Sequence, residues 1–251
     1  MTDTNNYDRY AAMRQDQLIK GEKKPHKYVE KPAMKSILPS LEGQSVLLVG
    51  CGTGEETVLL EEYGGANMVG IDNSKKSIEL AMTSYPKHHF KVGDMHELEF
   101  DNTSFDFVYS SLAVHYSATP ITVFREINRV LKKGGKLQFS VAHPVRWASE
   151  RVDIDGVPTK LLGYTEGDGD VKRYGNYSDY KEYSETFPTG ETLSFWVGSP
   201  SMYFNLLKDA GFTVNEFIET RAIEDVKLVD NAYYERYHYF PQFTVFQATK
   251  L

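Results

Sequence analysis

The chain of 251 residues holds a single cysteine, Cys51, which excludes an internal disulfide and points to a reducing compartment. It has no stretch of about eighteen consecutive apolar residues, the least that a membrane-spanning helix needs. Its opening, MTDTNNYDRY, lacks the basic and apolar blocks of a secretory leader. Lysine and arginine form no run and the formal net charge is −7, so the electrostatic footprint of a general nucleic-acid binder is missing. Internal repeats and low-complexity tracts are also absent. These absences lead us to expect a soluble, cytoplasmic protein, monomer or homodimer, whose partner is a small molecule and neither nucleic acid nor membrane. An apolar content of 41% suffices for a substantial core, and one domain with an insertion is expected.

What is present is organised around Val46 to Asp72, VLLVGCGTGEETVLLEEYGGANMVGID. The uncharged run at its start predicts a strand buried on both faces of a parallel sheet. Gly50, Gly52 and Gly54 then alternate through a turn, a helix is predicted from Glu55 to Tyr63, and a second strand, Met68 to Ile71, finishes on Asp72. A carboxylate at that distance from the loop can accept hydrogen bonds from a ribose diol. Two cofactor classes use such a unit. A dinucleotide fingerprint, G-x-G-x-x-G, requires glycine where this chain has Glu55, and a glutamate there repels a pyrophosphate. A ligand without phosphate meets no such obstacle.

The run G-C-G-T-G after VLLV resembles the first motif of the class I S-adenosylmethionine-dependent methyltransferases, those with a type 11-like core. The resemblance implies a loop, Gly50, Cys51, Gly52 and Gly54, around the methionine part and ribose of S-adenosylmethionine, with Asp72 and its neighbour Asn73 at the ribose hydroxyls. It also places Asp94 at the adenine amino group and Met95 on the ring, just past a third strand, His89 to Val92, and puts Ser110, at the end of the fourth, in the cofactor set. The phrase R-V-L-K-K-G-G before the strand K-L-Q-F-S-V is similar to the same family. The implied fold is α/β: a three-layer, Rossmann-like, seven-stranded sheet, mostly parallel with the last strand antiparallel, helices on both faces, and an inserted lid after strand five.

Along the chain we expect an N-terminal helical cap (1–45), a cofactor-binding core (46–143), an inserted substrate lid (144–199) and the rest of the core fold (200–251). In the cap, helices are predicted over Tyr7 to Ile19 and Ala33 to Leu38. In this family such a segment often lies over the cofactor pocket, which makes Tyr7, Tyr10 and Arg14 lid candidates. Asn73-Ser74 caps a helix reaching Ser84, with Ile78, Ala81, Met82 and Tyr85 spaced for burial. Phe105 to Ser110 is the fourth strand. Thr119-Pro120 opens a helix that Lys132-Lys133-Gly134-Gly135 ends. The lid holds antiparallel strands, clearest at Glu191 to Val197. Its tyrosines, with Phe187, Phe195 and Trp196, are candidates to line an aromatic acceptor pocket, and Arg146, Arg151, Lys160 and Arg173 to meet a carboxylate. A helix over Ser201 to Asp209 and strands at Thr213 to Ile218 and Phe243 to Ala248 complete the chain.

Methyl transfer from a sulfonium asks the protein mainly to align and dehydrate the reactants, and a base helps only when the acceptor carries a proton. His115, after the fourth strand, and His143, ending the fifth, are the candidate catalytic residues. No metal is expected, because Ser110 to Tyr116 offers only His115 as a ligand, and His88-His89 on a strand point to opposite faces. The expected activity is transfer of a methyl group to O, N or C of a small molecule, with S-adenosylhomocysteine as product. The competing readings are an NAD(P)-dependent oxidoreductase and a non-catalytic S-adenosylmethionine-binding sensor.

Overall fold

The buried run Val46–Val49 forms β1, and it divides its side chains between two cores. Leu47 and Val49 enter one apolar cluster and Val46 and Leu48 the other, as strand alternation requires of a strand covered on both faces. This is seen in a computed structural model, which describes residues 8, 11, 23–167, 169–186 and 192–251. The predicted helix over 7–19, apart from Asp8 and Ala11, lies outside the described residues, and with it Tyr7, Tyr10 and Arg14; Phe187 and Glu191 also lie outside them.

After a π-helical turn, His26–Glu30, helix α1 (Lys31–Ser36) leads into β1, and α2 (Glu56–Glu62) follows the glycine loop. Next come β2 (Val69–Asp72), α3 (Lys75–Ser84), β3 (His89–Val92), β4 (Phe105–Ser110), α4 (Pro120–Val130) and β5 (Leu131–Ala142). A short helix, α5 (Pro144–Trp147), opens the segment after β5 that is expected from the sequence to be a lid. Three antiparallel hairpins follow: β6 (Glu150–Ile154) with β7 (Val157–Leu161), β8 (Gly163–Gly167) with β9 (Asp170–Tyr174), and β10 (Lys181–Thr186) with β11 (Thr192–Val197). Then α6 (Pro200–Asp209), β12 (Phe212–Glu219), α7 (Asn231–Tyr239) and β13 (Phe243–Lys250) return to the core. The main sheet has seven strands in the order β12-β13-β5-β4-β1-β2-β3. Its strands run parallel except β13, which is antiparallel to both neighbours. The order reverses beside β1, and such a switch point is where open α/β sheets bind ligands.

Three details differ from the sequence reading. Met82 is 55% exposed, because Ile78 and Ala81 already fill the contact of α3 with the sheet. Lys132 to Gly135 do not close α4. The helix ends at Val130, and these residues bulge out of β5, whose register against β4 jumps from Phe105–Leu131 to Phe107–Lys136. The cation at the helix end is instead Lys250, from the far end of the chain, whose Nζ donates to the carbonyls of Asn128 (2.6 Å) and Leu131 (2.7 Å). Helix α7 had no counterpart in the sequence reading; its N-cap is Asp230, which accepts the Tyr233 N–H.

Beneath the glycine loop lies a buried polar cluster. Glu56, in the first turn of α2, is 2.8 Å from His26 Nε2 and 3.6 Å from Lys31 Nζ, and accepts the Tyr109 hydroxyl at 2.9 Å. Burial pushes its carboxyl up, but attraction to His26 and Lys31 and the Tyr109 bond outweigh that and lower it to about 2. Glu30 is raised, first by burial and further by the charge of Glu56, while its Oε1 accepts both the Ser111 (2.9 Å) and Ser140 (2.6 Å) hydroxyls. A depressed carboxyl stabilises the fold above its unfolded value, near 4.5, and loses that contribution as pH falls toward about 2; a raised one loses its contribution as pH climbs above 4.5. Urea unfolding as a function of pH should therefore separate the pair. Glu56→Gln is expected to cost about 3–5 kcal/mol at neutral pH, with the deficit shrinking below pH 4.5. Glu30→Gln should gain on the wild type as pH rises above 4.5, and the opposite trends would show the protonation states to be reversed.

Candidate functional site

The glycine loop presses against the end of β4. A Cβ on Gly50, whose φ is +68°, would stand 2.2 Å from the Ala113 Cβ, so only glycine fits there. Asp72 closes the loop from the next strand: its Oδ2 accepts the Gly52 N–H and its Oδ1 the Ser74 N–H, each at 2.9 Å. The Cys51 N–H is taken by the Ile71 carbonyl (2.9 Å) and the Gly54 N–H by that of Cys51 (3.0 Å). Loop, β2 and the start of α3 thus form one hydrogen-bonded corner. Asp8, from the leading segment, is fastened to it. Its Oδ1 accepts the Ser74 hydroxyl (2.6 Å) and the Lys76 N–H (3.1 Å), and Ala11 one turn later reaches the same space.

That space is a cavity of about 370 Å³ at the carboxyl ends of β1 to β4. Of the cofactor residues expected from the sequence, the structure brings Gly50, Gly52, Asp72, Asn73, Asp94 and Met95 together on its wall. The others lie elsewhere. Cys51 is buried in the core behind the loop, and Gly54 packs toward Tyr85, Phe90 and Ala81. Ser110 is buried, with its hydroxyl donating to the Val49 carbonyl at 2.9 Å. Both candidate catalytic histidines are buried and bonded within the protein, off the cavity wall. The His115 Nδ1 accepts the Ala142 N–H (3.3 Å) and its ring packs on Tyr116 and Phe195. His143 caps α5 by accepting the Val145 N–H (3.1 Å), with Nε2 3.0 Å from Glu219, and burial lowers its pKa despite that carboxylate.

Sequence reasoning passed over His96, Leu112 and Tyr116, all on the wall. Leu112 holds a left-handed backbone, φ +50°, fixed where its N–H donates to the Ser140 hydroxyl at 2.9 Å. The signal for His96 was there: aspartate readily accepts the N–H two residues on, and Asp94 Oδ1 does so from His96 at 2.8 Å. Partial burial pushes the Asp94 carboxyl up, but hydrogen bonds from the His96 backbone and ring hold it below the usual carboxylate range. Among the described residues the wall therefore presents two carboxylates and no lysine or arginine. The two carboxylates suit a ligand that donates hydrogen bonds or carries positive charge. Among the described residues, no group of three or more histidine, cysteine, aspartate or glutamate side chains could hold a metal ion, and no helix is long and apolar enough to cross a membrane.

Comparison with known proteins agrees with this geometry. Residues 47–139 match the family model described as a methyltransferase domain. The chain is similar to an uncharacterized protein of Haemophilus influenzae, 35% identical over 47% of this chain and 49% of that one. It is also similar to the sterol 24-C-methyltransferase of Pneumocystis carinii, 37% identical over 38% of this chain and 26% of that enzyme. The chain thus spans about half the length of the first of these relatives and about a quarter of the second. Among solved structures it resembles a candidate S-adenosylmethionine dependent methyltransferase of Listeria monocytogenes, with a TM-score of 0.69 at 26% identity over 88% of this chain and 96% of that one. By the domain match over residues 47–139, the strand order with its antiparallel β13 and the likeness to the Listeria structure, the chain carries a methyltransferase domain and has the fold of S-adenosylmethionine-dependent methyltransferases.

Proposed function

We propose that the protein transfers a methyl group from S-adenosylmethionine to an O, N or C atom of a small-molecule acceptor. The observation that carries this reading is the state of the glycine loop. Its Cys51, Gly52 and Gly54 N–H groups are already bonded inside the protein, and among the described residues the adjoining wall bears Asp72 and Asp94 with no lysine or arginine. A pyrophosphate would need those N–H groups and would be repelled by those carboxylates, which disfavours the NAD(P) alternative. A nucleoside with a diol, an exocyclic amino group and a cationic sulfur is matched on each count. In this reading Asp72 takes the ribose hydroxyls, Asp94 the adenine amino group and Met95 the purine face.

The cofactor supplies an activated methyl on a sulfonium and a neutral thioether leaving group. The chain's own part is alignment and exclusion of water, and holding the nucleophile about 3–3.5 Å from the methyl in line with sulfur accounts for roughly 7–11 kcal/mol. Tyr116, at the cavity rim, packs into an aromatic cluster with Trp147, Tyr183 and Phe195 from the lid, and we place the acceptor on that side. His115 and His143, bonded behind this wall, shape it. Turnover would separate an enzyme from a sensor: release of S-adenosylhomocysteine in the presence of an acceptor, with labelled methyl on the product, is the expected outcome.

The binding half of the proposal is tested at Asp72. Loss of a charged hydrogen bond costs about 1.5–3 kcal/mol, so Asp72→Ala should weaken S-adenosylmethionine binding roughly 10- to 150-fold in a calorimetric titration. An unchanged Kd would mean that the cofactor lies elsewhere.

A further inference from the structure

His96 lies on the cavity wall between two groups that fix its role. Its Nδ1 is 2.7 Å from Asp94 Oδ1 and its Nε2 is 2.7 Å from Ser117 Oγ. An ionised carboxylate can only accept, so Nδ1 carries the proton, and in the neutral ring Nε2 accepts from the Ser117 hydroxyl. That hydroxyl oxygen in turn accepts the Thr119 N–H at 3.0 Å, while the Ser117 carbonyl accepts the phenol of Tyr180. Tyr180 belongs to the lid and stacks on Trp196, ring centroids 5.2 Å apart. His96 and the lid thus meet at Ser117, one at its hydroxyl and the other at its carbonyl.

The order Asp–His–Ser is also that of a hydrolytic triad, but Ser117 is only 1% exposed and its oxygen already takes the Thr119 N–H, so it is not open to a substrate. The consequence of the arrangement falls on Asp94. Both bonds from His96, backbone and ring, end on Oδ1, which leaves Oδ2 for a ligand. The Asp94 side chain is 67% exposed and would otherwise be free to turn.

We propose that His96 is a positioning residue for the purine subsite, holding the Asp94 carboxylate so that its open oxygen selects a base with an exocyclic amino group. The inference rests on the reading of this cavity as the S-adenosylmethionine site. It concerns discrimination between bases, which general weakening of the fold would not alter.

The test compares binding of S-adenosylhomocysteine with that of S-inosylhomocysteine, whose exocyclic C6 carbonyl oxygen accepts where the amino group donates, by calorimetry on the intact protein. The wild type should prefer the adenine form by about tenfold or more, the worth of one charged hydrogen bond. In His96→Phe that ratio should fall to about one third of its wild-type value or lower, and in His96→Asn, whose amide N–H can replace Nδ1–H, it should largely return. Ser117→Ala, which removes the brace from Nε2, should lower the ratio by a smaller factor and serves as the deciding variant if His96→Phe does not fold. A ratio unchanged in both His96→Phe and Ser117→Ala, or an asparagine variant no better than phenylalanine, overturns the proposal. Wild-type protein that binds neither compound would instead overturn the reading of the cavity, and this inference with it.

Discussion

The two hydrogen bonds accepted by Asp72 carry the rest of the structure's functional half. One reaches back to the Gly52 N–H and the other forward to the Ser74 N–H, so a single carboxylate at the end of β2 fixes both the loop after β1 and the start of α3. Ser74 then caps α3 through its hydroxyl, and the same hydroxyl donates to Asp8 of the leading segment. Without that carboxylate the Gly52 N–H would be left open to an anion. With it, the Gly52 donor is occupied as those of Cys51 and Gly54 are, and the cavity wall carries Asp72 and Asp94. The choice between a phosphate-bearing cofactor and a phosphate-free one is therefore made by intramolecular hydrogen bonding rather than by loop shape.

The opposite wall depends on a second constraint. Leu112 can hold its left-handed conformation because its N–H is bonded to Ser140, which is in turn held by the buried Glu30. Glu30 comes from the segment just before α1, and its neighbours His26 and Lys31 approach Glu56 at the start of α2. The segment ahead of the sheet is thus built into the support of the cavity through charges in the interior, where a change at one group is felt by the others.

Much of this was legible in the sequence, for reasons that can be named. β1 to β4 are short apolar or alternating runs bounded by glycine, proline or polar turns, and each formed where periodicity put it. Gly50, Gly52, Asp72 and Asp94 reach the wall because their places follow from the unit of strand, loop and helix. Cys51 stands between two wall residues but its side chain enters the core, Gly54 packs toward Tyr85, Phe90 and Ala81, and Ser110 is turned to the Val49 carbonyl of the neighbouring strand. His115 follows β4 and His143 follows β5, as read from the sequence, yet local hydrogen bonds hold both off the cavity wall: one accepts from β5 and the other becomes a helix cap. The support for Leu112 and the capping of α4 by Lys250 rest on residues more than 100 positions apart, Glu30 to Ser140 and Lys250 to Asn128, which no local pattern reveals.

The central claim is that this corner is built for a cofactor without phosphate. It is tested most directly by calorimetric titration of the intact protein with S-adenosylmethionine and, separately, with NADH. Saturable one-site binding of S-adenosylmethionine and no heat from NADH is the predicted result. Binding of NADH alone would contradict the account, because it would require the N–H groups that Asp72 and its neighbours already hold.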